Sequence, residues 1–191
     1  MSPHAGNFVE WTEEKVKKYM RTFVGSRILV VSPGYTMNIS VWTNGDKDLI
    51  EYIDSVMLSP ENPFVPFDAI ILSRVFEHLP IRELDWYIYN MFKCLKKDGV
   101  LVLTVPDMDS ALEWMKKEIE SPHPDHFILF KTFTSLFNEG HDIRDFHKFW
   151  TNEKTVKYFL EREGLFKIID FQRITVDTRT EETLEFTAIR L

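Results

Sequence analysis

A chain of 191 residues, 44% apolar and 28% charged, is long enough to bury a sizeable core in one domain and has the balance of an ordinary globular protein. Its formal net charge of -7, with no long basic run, argues against non-specific binding to nucleic acid or to an anionic membrane. The single cysteine, Cys94, permits no internal disulfide. With no signal-peptide pattern and no apolar run of membrane-spanning length, the chain is expected to be cytoplasmic.

Thr12, followed by Glu13 and Glu14, has the chemistry of an N-cap for a helix to about Phe23, stopped by Gly25. Residues 27–31, Arg27-Ile28-Leu29-Val30-Val31, are the first predicted strand, followed by the turn Ser32-Pro33-Gly34-Tyr35. Residues 38–43 alternate and predict a second strand, with Asn44-Gly45-Asp46 as a turn at its end. The span from Gly34 to Asp46 is too short for a crossover helix, so this half of the domain reads as trimmed. Residues 48–52 predict a short helix and 53–58 a third strand. The loop after them carries Pro60, Pro63 and Pro66.

The centre of the chain has the clearest pattern. Residues 67–73 form an apolar run without alternation, the mark of a strand buried on both faces. A polar corner follows, from Arg74 to Pro80. Ile81, Leu84, Ile88, Met91, Phe92 and Leu95 recur at helical spacing and predict a helix over 81–97. Lys93, Lys96 and Lys97 suit its last turn, and Gly99 a left-handed cap. Residues 100–105 are the next buried strand, ended by Pro106-Asp107. Strand, helix, strand with tight links predicts a right-handed crossover between parallel strands.

Further on, 110–120 and 127–137 predict helices. Asp107 and Asp109 suit caps of the first of them. Thr151 predicts the N-cap of a helix to Glu163, with Val156, Phe159 and Leu160 inward and Gly164 as stop. Residues 166–175 and 183–190, joined by a short polar link, predict an antiparallel hairpin that ends a mostly parallel sheet. The pattern as a whole is a doubly wound α/β sheet. Ligands of such sheets bind beyond the carboxyl ends of the strands, here Ser73-Arg74 and Pro106-Asp107. His123, His126, His141 and His147 are close in sequence, but Pro124 breaks the one helical spacing and no cysteine or acidic partner completes a set. No metal site is predicted, and Cys94 is expected to be a small buried group.

The stretches Phe67-Asp68-Ala69-Ile70 to Glu77-His78-Leu79, Leu95-Lys96-Lys97-Asp98-Gly99-Val100-Leu101 and Val105-Pro106-Asp107 resemble class I S-adenosylmethionine-dependent methyltransferases. The likeness is to a short group with a trimmed first half, and it extends faintly from Arg27 to the C-terminus. It implies a Rossmann-like α/β fold with helices on both faces, a single domain over 1–191. Residues 1–26 would be an N-terminal helix and 108–150 an insertion covering the site as a lid.

The resemblance also implies S-adenosylmethionine as cofactor and a small molecule, or an exposed group on a macromolecule, as methyl acceptor. The family's first turn reads Gly-x-Gly-x-Gly. Here Ser32-Pro33-Gly34 keeps one glycine, and Pro33 has no N–H to donate. By resemblance, Ser32, Gly34 and Tyr35 would flank the cofactor's amino-acid portion and Asp46 would hold its ribose. Ser73 and Arg74 would border the transferred methyl, with His78 and His147 as candidate bases. Each has a plainer alternative. Asp46 is also a turn or cap residue, the Glu77-His78 corner can hold its turn by hydrogen bonds, and His147 can fix its loop. The rival for the whole chain is a catalytically inactive methyltransferase-like fold serving as a binding or partner module. Dinucleotide oxidoreductases are disfavoured, since Gly-x-Gly-x-x-Gly is absent.

Overall fold

In the computed structural model the apolar runs lie side by side in a seven-stranded sheet. The structure describes residues 14–19, 21–22, 26–32, 38–43, 46–50, 66–137, 147–175 and 182–191. The strands are β1 (Arg27–Ser32), β2 (Asn38–Thr43), β3 (Asp46–Ile50), β4 (Phe67–Ser73), β5 (Leu95–Pro106), β6 (Phe166–Thr175) and β7 (Glu182–Arg190). Their spatial order is β3-β2-β1-β4-β5-β7-β6. β1, β4 and β5 are parallel neighbours, with Leu29 opposite Ile70 and Ile71 opposite Val102. β7 lies antiparallel between β5 and β6. Among the described residues, therefore, five strands run one way and β2 and β7 run the other. This is the expected Rossmann-like α/β sheet with an antiparallel hairpin at its end.

The first flank differs from the expectation in one respect. β2 turns straight back along β1, pairing Asn38 with Ser32 and Thr43 with Arg27. Too few residues join the two strands for a crossover, and a reversal is the connection that short links allow. Residues 46–50, read in the sequence as a turn and the start of a helix, instead form β3 along β2. Pairing with a ready strand edge overrides local propensity there. The predicted strand over 53–58 and the cap at Thr12 lie outside the described residues.

The helices among the described residues are α1 (14–19, with 21–22 also helical), α2 (Leu84–Cys94), α3 (Met108–Ile119), α4 (His126–Phe137) and α5 (Glu153–Glu161). α2 is shorter than its apolar stripe suggested. Residues 81–83 are a separate 3-10 turn, and Leu95 is already extended and paired with Phe67. The left-handed residue after α2 is Asp98 (φ 61), not Gly99. Gly99 is needed for space: a Cβ there would sit 2.8 Å from the Lys96 carbonyl oxygen. At α5 the cap is Asn152. Its side chain accepts from Thr155 N at 2.8 Å, and Thr155 Oγ1 accepts from Asn152 N at 3.0 Å. α5 ends at Glu161 with Arg162 as its C-cap, two residues short of the expected Glu163, and Gly164 turns the chain beyond it with φ +66.

Both faces of the sheet are covered. On one face, Leu29, Val31, Ile70, Leu72, Leu101 and Leu103 meet Leu84, Ile88 and Met91 of α2 and Val156 and Leu160 of α5. On the other, Ile28, Val30, Ala69, Ile71 and Val102 meet Val16 and Tyr19 of α1. Successive residues of a strand point to opposite faces, so strands covered on both sides must be apolar throughout. Each large aliphatic side chain buried this way contributes about 1.5–3 kcal/mol. Among the described residues no helix is long and apolar enough to cross a membrane.

Candidate functional site

The parallel strands bring three strand ends to one edge of the sheet. Val31 is opposite Leu72 and Ser73 opposite Thr104, so β1, β4 and β5 leave the sheet nearly level. Ser73 is fully buried, and among the described residues its hydroxyl has no hydrogen-bond partner. An orphaned buried hydroxyl at a strand end is a group that a ligand can satisfy.

Arg74, the next residue, has φ 55, a left-handed conformation that L-residues seldom take. Its N–H donates to Thr104 O at 3.0 Å, which holds the turn against β5. The chain then swings into the 3-10 turn Phe76–His78. Glu77 in that turn is fully buried, with Oε1 3.4 Å from Arg74 Nε.

His147 reaches the same place from a distant segment. Lys148 N donates to Glu77 O at 2.7 Å, and Phe149 packs edge-on against Phe76 with ring centroids 5.6 Å apart. The Thr151 hydroxyl, expected to cap α5, instead donates to Pro106 O at 2.8 Å, while Met108 N donates to Thr151 O. The segment 147–151 is thus fastened to the ends of both β4 and β5. The rings of His78 and His147 stand 4.9 Å apart, edge to face. One Glu77 carboxylate oxygen and one nitrogen of each histidine all lie within 4.8 Å of one another.

A second polar group closes the end of β5. Asp107 is 1% exposed and takes the N-cap position of α3. Arg173 of β6 lies 3.2 Å from its carboxylate and also reaches Glu153 and Glu182. Burial pushes the Asp107 carboxyl above its usual range, with Arg173 holding it back in part. Asp109 accepts from Trp150 Nε1 at 2.7 Å and from Asn152 Nδ2 at 3.1 Å, tying α3 to the start of α5.

Of the residues singled out in the sequence, Ser73, Arg74, His78 and His147 meet at this edge, and the backbone of Ser32 ends there. Gly34 and Tyr35 lie outside the described residues. Asp46 is not brought to this edge. It pairs with Thr43, which pairs with Arg27 at the opposite end of β1 from Ser32. The reversal of β2 carries its carboxyl end to the far side of the sheet, which corrects the expectation that Asp46 holds a ribose at this edge. Sequence reasoning gave Glu77 no more than a turn-holding part. Its signal was available: an acidic residue beside a histidine, three residues after an arginine, among apolar neighbours.

No protein-family model and no curated protein matches this chain. Solved structures do. The N-methyltransferase NodS from Bradyrhizobium japonicum matches at 14% identity and a TM-score of 0.42, over 69% of this chain and 55% of that one. The 1,6-didemethyltoxoflavin-N1-methyltransferase of Burkholderia thailandensis, with S-adenosylhomocysteine bound, matches at 16% and 0.46, over 70% and 48%. A SAM-dependent methyltransferase from Archaeoglobus fulgidus matches at 16% and 0.46, over 77% and 69%. This chain spans about half the length of the first two. Likeness at that level carries no weight beyond the strand order and directions, which the chain displays on its own.

Proposed function

We propose that this chain is an S-adenosylmethionine-dependent methyltransferase acting on a small-molecule acceptor or on an exposed group of a macromolecule. The observation that carries the reading is the carboxyl edge of the sheet. There an orphaned buried hydroxyl, Ser73, shares the edge with a pair of facing histidines, in a sheet that carries the antiparallel β7 between β5 and β6. When bound, the cofactor supplies an electrophilic methyl group. The residues that would hold it are Ser32, Gly34, Tyr35, Ser73 and Arg74. The Ser73 hydroxyl fits a hydrogen bond to it, because that hydroxyl is buried with no partner among the described residues.

The chain's own task is alignment and, where the acceptor carries a proton, its removal. His78 and His147 are the candidate bases, each able to accept a proton at an imidazole nitrogen. Residues 108–150, which include α3 and α4, serve in this reading as a lid that excludes water from the site. The reading sets the protein in the cytoplasm, in keeping with its single cysteine.

A second reading has a specific observation in its favour. Pro33 takes an N–H from the first turn, and the reversed β2 takes Asp46 away from the edge. A fold so altered suits a binding or partner module without catalysis. Calorimetric titration with S-adenosylhomocysteine separates the two. The enzyme reading expects one site per chain, weakened by Ser73→Ala by about 0.5–1.5 kcal/mol and unchanged by Asp46→Ala. Absence of binding in every form rejects it in favour of the module.

A further inference from the structure

We propose that Glu77, His78 and His147 form a binding site for a divalent transition-metal ion, zinc by preference. Two imidazoles and one carboxylate are a donor set that such ions take, and imidazole suits zinc, copper, iron and nickel. Three protein ligands leave a coordination position open for water or for a donor atom of a small ligand. The three ligating atoms already lie within 4.8 Å of one another. Zinc–ligand bonds of about 2.0–2.1 Å set neighbouring donors roughly 3.3 Å apart, so rotations about the side-chain bonds of the half-buried histidines can close the difference.

The main chain prepares the site before any ion arrives. Glu77 and His78 share one 3-10 turn, and the bond from Lys148 N to Glu77 O holds His147 beside it. Arg74, 3.4 Å from Glu77 Oε1, balances the buried carboxylate. A carboxylate has two oxygens and about four acceptor directions, so it can pair with Arg74 and coordinate an ion as well. The inference goes beyond the methyl-transfer reading and does not depend on it. Were both to hold, His78 and His147 would serve as ligands rather than as bases, and the open position would bind an oxygen or nitrogen of the acceptor and make its proton easier to lose.

The test uses the whole chain stripped of metal with a chelator and titrated with zinc chloride by calorimetry. The expected result is one ion per chain with a dissociation constant in the micromolar range or below. His78→Ala and His147→Ala should each weaken it at least tenfold. The His123→Ala/His126→Ala double variant, altered at exposed histidines elsewhere, should bind as the parent does. X-ray absorption of the zinc-loaded parent needs no variant, and should show two imidazole ligands at about 2.0–2.1 Å. No binding, binding abolished by the His123/His126 change, or a spectrum without two imidazoles overturns the proposal.

Discussion

Arg74 Nε lies 3.4 Å from Glu77 Oε1, and both side chains are shut away from solvent. Neither charge has water to fall back on. Breaking a buried pair from one side leaves an uncompensated charge, which costs about 3–5 kcal/mol. Arg74→Met should lower stability by that amount in urea unfolding. Arg74→Met with Glu77→Leu should recover a large part of the loss, since both charges then leave together. Strict additivity of the two single effects would show that the residues are not coupled.

Asp107 makes the fold sensitive to acid in an unusual direction. Its carboxyl is raised by burial from an ordinary value near 3.8, so the protonated form is favoured in the folded state. A group raised in this way stabilises fully below its unfolded value, and that contribution is lost as pH rises through the folded one. Asp107→Asn keeps the neutral shape at every pH. Its stability relative to the parent should therefore rise between about pH 3 and neutrality, then level off. Denaturant midpoints measured across that range check the slope, and a relative loss toward neutrality would mean that Arg173 outweighs burial.

Two neighbouring residues have separable duties. Asn152→Ala removes the cap of α5 and should destabilise by about 1 kcal/mol. Thr151→Ala removes the hydroxyl bond to Pro106 O, a loss of about 0.5–1.5 kcal/mol. The distinction lies in where the loss appears. Hydrogen exchange should quicken within α5 for Asn152→Ala, and at 147–151 for Thr151→Ala.

Gly99→Ala drives a methyl to within 2.8 Å of a backbone oxygen and should cost about 1–3 kcal/mol. Gly164→Ala meets nothing within 4 Å but must hold φ +66, at about 1–2 kcal/mol. Thermal unfolding of the two variants reads both numbers.

Much of this architecture is legible in the sequence. The unalternating runs at 67–73 and 100–105 read as strands covered on both faces, and they pair in parallel. The polar link before residue 183 announced the hairpin of β6 and β7. The chain between Gly34 and Asp46 was visibly too short for a crossover, yet Asp46 was still assigned to the cofactor edge. A reversed strand delivers its end to the opposite side, and no residue type records that. The resemblance set His78 and His147 at one site, but the contact between their rings was hidden for another reason. Its fastening bond, Lys148 N to Glu77 O, joins two main-chain groups, and main-chain groups leave no trace in residue identity. Thr151 shows a third limit: an N-cap residue type was spent on a carbonyl of β5, and its neighbour did the capping.

The placement of β7 between β5 and β6 has a consequence for the chain as it is made. Every residue of β5 from Val100 to Pro106 has its outer partner in residues 183–189. β6 is synthesised earlier but reaches the sheet only through β7. Until β7 leaves the ribosome, β5 carries a bare edge of Val, Leu and Thr, the kind of template that captures other unfinished chains. Yield in cells should therefore hinge on how quickly residues 182–190 arrive, and a stalled or shortened chain would be lost to aggregation with its parallel strands already in place.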